Sequence, residues 1–204
     1  MKFASGPFEL LTDAGAQAGR ETLVRFEEFR HAVGQIVGEA ELTTPQPVRI
    51  LLFKNPKGWT LDEPLVEGRN CWAIALAEKQ PVSPNVYRAL TRLFVETNTE
   101  RLPPAFERGL IEFFSTFEGA GIHIAVGAPP ASGGAARDLD WARVHMLIVD
   151  PEYYGKLRVL LFNLRKGVAE DVAYRNAFGR TPAERRQNPG VAYYLLFHNR
   201  TQIG

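Results

Sequence analysis

Arg88 and Arg92 stand four residues apart, and Arg108 follows sixteen residues later. A guanidinium group stays protonated at any physiological pH, offers five N–H donors and has no lone pair to give. It pairs well with carboxylates and phosphates, and it can neither ligate a metal ion nor take a proton from water. Arginines at i and i+4 share one face of a helix, where their usual role is to keep that face in solvent. The segments around them decide whether these three do more.

Pro84 fits a first helical turn, with Ser83 before it as N-cap, and apolar spacing carries the helix to about Asn98. Pro103 and Pro104 restart a helix whose apolar side holds Phe106, Leu110, Phe113, Phe114 and Phe117. Arg88 and Arg92 fall on the first helix and Arg108 on the second. Upstream, residues 7–12 read as a short strand. Leu23, Phe26, Phe29, Val33 and Ile36 recur at the spacing of a long amphipathic helix. Residues 48–53 and 71–77 are apolar and β-prone runs, separated in part by the turn chemistry of residues 54–58. Downstream, residues 119–126 predict a strand or hairpin and residues 128–136 a flexible connection. Helices follow over 140–149, 152–166 and 170–177, the last closed by Gly179. Thr181-Pro182-Ala183-Glu184 has the form of a capping box, and residues 191–197 are apolar. Strands thus gather in the first half and helices in the second, without βαβ alternation, which predicts an α+β fold. The expected organisation is one domain over 1–204, with a sheet-rich lobe at about 1–80 and a mainly helical lobe at about 81–204.

Composition narrows the function classes. Hydrophobic residues make up 45% of 204, enough for a sizeable core. The formal net charge is +1, so no global field draws in nucleic acid or an anionic membrane. No apolar run approaches the ~18 residues that a membrane-spanning helix needs. The opening Met-Lys-Phe-Ala-Ser-Gly-Pro lacks the apolar core of an intact signal peptide. Cys71 is the single cysteine and lies in an apolar run, so it is read as a small buried hydrophobe.

Residues 84–115 read PNVYRALTRLFVETNTERLPPAFERGLIEFFS. Tyr87, the Leu102-Pro103-Pro104 step and Gly109-Leu110-Ile111-Glu112-Phe113 together resemble the gluzincin (peptidase-MA-like) domain of exported bacterial metallopeptidases. In active members the second segment reads roughly L-P-P-W-L-N-E-G-L-A-E-F-Y-S. Val126-Gly127-Ala128-Pro129-Pro130, Trp141-Ala142-Arg143-Val144-His145-Met146 and Ala177-Phe178-Gly179-Arg180-Thr181 fit the same pattern. The resemblance implies a thermolysin-like fold, with a strand–helix–strand sheet lobe before a mainly helical one. It places the zinc motif H-E-x-x-H on Arg88-Ala89-Leu90-Thr91-Arg92 and the ligand glutamate on Arg108. In the family, two histidines at i and i+4 share one metal and the glutamate between them serves as base. Here each of these positions carries a residue that can do neither. The acidic residue four positions after the ligand glutamate orients the first histidine in such sites. Those positions are Glu112 and Arg88, so the resemblance implies a salt bridge between them. Arg92 and Arg108 would then take Glu107, Glu96 or a bound anion.

The remaining candidates are weaker. His31, His123, His145 and His198 show no ligand spacing, and a site from His123, His145 and a carboxylate is the best they offer. Nothing near Cys71 in sequence would lower its pKa. Gly133-Gly134 lacks the G-K-[ST] of a phosphate loop. Tyr153-Tyr154 and Tyr193-Tyr194 suit half-buried positions better than stacking platforms. The leading expectation is a domain without catalytic residues, metal or cofactor that binds an unidentified protein or an anionic ligand. In the resembling family such domains are exported and often precede helical repeats. The alternatives are a cleft reused for an anion or for other chemistry through Arg88, Arg92 and Arg108, and a peptidase with unrecognised ligands.

Overall fold

The computed structural model describes residues 1–56, 64–100, 102–120, 123–129, 134–179 and 181. The first lobe is built on a five-stranded mixed sheet. Strands β1 (Lys2–Ser5) and β2 (Phe8–Thr12) form an antiparallel hairpin, and helix α1 (Ala16–Val37) leads from β2 to β3 (Val48–Phe53). β3 pairs in parallel with both β2 and β5 (Trp72–Ala77), while β4 (Val66–Glu67) closes the far edge antiparallel to β5.

β2–α1–β3 is therefore a βαβ unit, and the expectation of no such alternation is corrected. A helical segment between two strands that end up parallel is the spacing a crossover needs. The overall distribution of strands and helices hid that single unit. The fold remains a mixture of α and β lobes. β1 also went unseen, because Lys-Phe-Ala-Ser carries little strand patterning.

Register explains which sheet face is buried. Phe8, Leu10 and Thr12 lie beside Val48, Ile50 and Leu52, which in turn flank Trp72, Ile74 and Leu76. Except for half-buried Trp72, this row is buried. The opposite face carries Glu9 and Arg49, paired at 3.0 Å. That bond, with one from Lys2, holds the Glu9 carboxyl below the usual carboxylate range. Leu23, Phe26, Phe29, Val33 and Val37 of α1 pack on the apolar face. Cys71 precedes β5 and is half-buried, more open than its apolar surroundings suggested.

The second lobe holds α2 (Pro84–Asn98), α3 (Pro104–Phe114), a hairpin of β6 (Glu118–Ala120) and β7 (His123–Ala125), and helices α4 (Ala135–Val149), α5 (Pro151–Arg165) and α6 (Glu170–Phe178). α4 begins five residues before the expected Asp140, directly after Gly134, so the connection over 128–136 is shorter than its composition suggested. α6 ends on Gly179 at φ 69°, a left-handed cap that glycine adopts without strain. The capping box from Thr181 and the apolar residues 191–197 lie outside the described residues, apart from Thr181 itself. One continuous core joins the lobes. Phe8 meets Phe26 and Phe94, and Phe29 meets Tyr87, Phe94, Phe114 and Phe117, with ring centroids 4.9–6.4 Å apart. Among the described residues no helix is long and apolar enough to cross a membrane.

Candidate functional site

Two helix starts set the geometry. Ser83 Oγ accepts a hydrogen bond from the Asn85 backbone N–H at 3.3 Å, and Pro84 occupies the first turn of α2. α2 buries Val86, Tyr87, Leu90, Thr91 and Phe94, which turns Asn85, Arg88, Ala89 and Arg92 the other way. α3 starts at Pro104 and carries Arg108 and Glu112 four residues apart on one side. Between them the two helices, the start of α4 and Pro64 ahead of β4 enclose an open cleft of about 510 Å³. Arg88, Ala89, Arg92, Arg108 and Glu112 all line it, with Arg137 and Ala136 of α4, Asn85 and Ile111.

Arg88 and Glu112 meet across α2 and α3. Nη2 donates to Oε2 at 2.9 Å and Nε lies 3.2 Å from both carboxylate oxygens. Arg88 Nη1 donates to Asn85 Oδ1 at 2.8 Å, so one guanidinium is fixed from two sides. Glu112 is buried and takes a second cation, Arg137 Nε, at 3.3 Å from Oε1. Burial of a carboxylate is tolerated when charge and hydrogen bonds meet it there, and three helices contribute to meeting this one.

Of the partners expected for Arg108, which were Glu107, Glu96 or a bound anion, it takes neither glutamate. Its Nε donates to Asp140 Oδ2 of α4 at 2.9 Å, and Asp140 also has Arg143 Nη1 at 3.6 Å from Oδ1. The physical reason is the next residue. Gly109 lets α3 approach α4 so closely that a Cβ there would sit 2.3 Å from the Asp140 carbonyl oxygen. The close approach brings the Asp140 side chain to Arg108. Arg92 is exposed and makes no hydrogen bond or ion pair among the described residues, so the pairing expected for it with Glu96 or Glu107 is absent.

Arg137, Asp140 and Asn85 are site residues that sequence reasoning missed. Asn85 is one turn before Arg88, and a polar residue at that spacing was the available signal. Arg137 and Asp140 became visible only once α4 began at Ala135, which the glycine before a run of helix formers could have indicated.

The other candidates do not converge among the described residues. Among the described residues no group of three His, Cys, Asp or Glu side chains could hold a metal ion. His31 is exposed on α1, and His145 lies against Trp141 and Phe113 with ring centroids 5.0 and 5.8 Å away. His123 belongs to β7, and His198, Gly133, Tyr193 and Tyr194 lie outside the described residues. Tyr153 and Tyr154 are half-buried on α5, with Lys156 Nζ 5.0 Å from the Tyr153 ring centre. On the buried face of α2, burial among Phe26, Phe29 and Phe117 pushes the Tyr87 hydroxyl up to about 12.

No family model matches the chain, and neither a curated protein nor a solved structure does. The cleft thus stands on its own chemistry. Four guanidinium groups and one carboxylate line it, and with Asp140 paired to Arg108 two positive charges are left over. Such a surface can bind anions, and its one carboxylate is already committed to Arg88 and Arg137.

Proposed function

We propose that the chain is a gluzincin-like domain that has lost its zinc chemistry and acts by binding, as an interaction or scaffold module. The single observation that carries this is convergence. The five positions singled out by the resemblance, Arg88, Ala89, Arg92, Arg108 and Glu112, come from two helices and line one cleft. Among them, Arg88 and Glu112 make the cross-helix contact that a metal-supporting pair would leave behind. A solvated helix face gives no reason for such convergence, nor for a carboxylate buried at its centre. Arginine at both histidine positions and at the ligand-glutamate position supplies no lone pair, and Ala89 supplies no base.

The test is elemental analysis of the protein after equilibration with zinc, together with a peptidase assay run with and without chelator. Expected are clearly substoichiometric zinc and no chelator-sensitive hydrolysis. Stoichiometric zinc, or proteolysis that a chelator stops, overturns the proposal.

A further inference from the structure

We infer that the cleft between α2, α3 and α4 binds a small organic phosphomonoester, with Arg92, Arg108 and Arg137 holding the phosphoryl group. This rests on the metal-free reading above and names the ligand class for the same cleft. The three arginines come from three different helices. Arg108 and Arg137 are each tied down by Nε, to Asp140 at 2.9 Å and to Glu112 at 3.3 Å. Their terminal nitrogens donate no hydrogen bond among the described residues, and Arg92 makes no hydrogen bond or ion pair there at all. Each anchored guanidinium therefore offers a free pair of donors whose orientation is already partly set, which lowers the ordering cost of binding.

Shape and charge choose the ligand. A carboxylate is flat and is filled by one or two arginine forks. A phosphoryl group presents three oxygens in three directions, suited to donors arriving from three helices. The excess positive charge among the lining side chains matches a dianion better than a monoanion. The cleft of about 510 Å³ falls in the range of small-ligand sites and exceeds what a bare phosphate fills. Pro64, Ala89, Ile111 and Ala136 supply apolar wall for the organic part.

Calorimetric titration at fixed ionic strength tests this with four probes: phenyl phosphate, inorganic phosphate, benzoate and benzyl alcohol. Phenyl phosphate should bind saturably, at least tenfold tighter than either inorganic phosphate or benzoate, and benzyl alcohol should not bind. Arg92→Ala breaks no bond of the folded chain, so it should fold normally and weaken phenyl phosphate at least tenfold. Arg108→Ala should do the same, with folding checked by circular dichroism. No saturable phenyl phosphate binding, affinity unchanged in Arg92→Ala, or benzoate binding as tightly each overturns the inference. Inorganic phosphate binding as tightly as phenyl phosphate overturns the organic part of it. Zinc content measured on the same samples separates the two failures: zinc-free protein that ignores phenyl phosphate sinks this inference alone, whereas stoichiometric zinc sinks the metal-free reading beneath it.

Discussion

Replacing Glu112 by alanine removes the carboxylate that joins α2, α3 and α4. Its side chain is 5% exposed, and its partners Arg88 and Arg137 are 24% and 47% exposed. Stripping one member from a fully buried pair costs about 3–5 kcal/mol, because an uncompensated charge stays behind. Arg88 keeps Asn85 and some solvent, and Arg137 can turn outward, so screening reduces the figure. We expect Glu112→Ala to cost about 2–3 kcal/mol, or about 4–12 °C in Tm for a chain of this size. Urea denaturation followed by circular dichroism, fitted by linear extrapolation, measures it. Arg92→Ala is the control and should stay within about 0.5 kcal/mol of the unmodified protein. Arg88→Met combined with Glu112→Leu should recover most of the loss, since it leaves without a partner only Arg137 and Asn85, both of which reach solvent. A cost below about 0.5 kcal/mol for Glu112→Ala, or a double variant as unstable as the sum of the singles, would refute the idea that this pair holds the cleft.

Three further outcomes follow from the same geometry. Gly109→Ala should destabilise by about 1–3 kcal/mol, because its Cβ would meet the Asp140 oxygen at 2.3 Å; helix propensity alone gives the opposite sign, so a more stable variant refutes the close packing. The buried Tyr87 hydroxyl, pushed up to about 12, keeps its proton in the folded chain while an unfolded tyrosine loses it near pH 10, so stability should fall as pH rises from about 10 to 12. Equilibrium denaturation across that range should show about 2–3 kcal/mol of this loss missing in Tyr87→Phe, and identical pH slopes in the two proteins would contradict it. Ser83→Ala should cost about 0.5–1 kcal/mol in thermal unfolding, since it deprives Asn85 N–H of its cap.

Much of the α2–α3 region was legible because its signals are local. Proline at the first helical turn, a serine before it and apolar spacing predicted helices that begin at Pro84 and Pro104. The strand over 48–53 was legible for the same reason. What failed depends on partners distant in sequence. That β2 and β3 lie parallel is decided by how α1 packs back onto the sheet, and no residue within either strand records it. Arg108 chose Asp140 over the nearer Glu107 because Gly109 admits α4, a contact across thirty-two residues. Arg88 and Glu112 could be paired in advance only because the family resemblance supplied a rule for which positions face each other. Arg137 had no such rule, and it waited on the start of α4.

The pattern of substitution has its own logic under the proposed reading. A buried carboxylate at the Glu112 position needs a positive partner wherever it stays. In a zinc site that partner is an imidazole N–H polarised by the metal on its other nitrogen. Losing the metal alone would leave Glu112 facing a weakly polar ring, and the carboxylate would be costly to keep. Arginine at position 88 restores a full charge and two donors at 2.9–3.2 Å without any metal. A second arginine at 137, and a third at 108 tied to Asp140, go beyond what neutralising Glu112 requires. Arg92, with no partner at all among the described residues, goes further still. Structural compensation accounts for the arginines paired with Glu112 and Asp140. It does not account for Arg92, and the cations that share the cleft gain most when an anion enters it. The surplus of cations over the need of Glu112 is the reason to look for a phosphorylated ligand there.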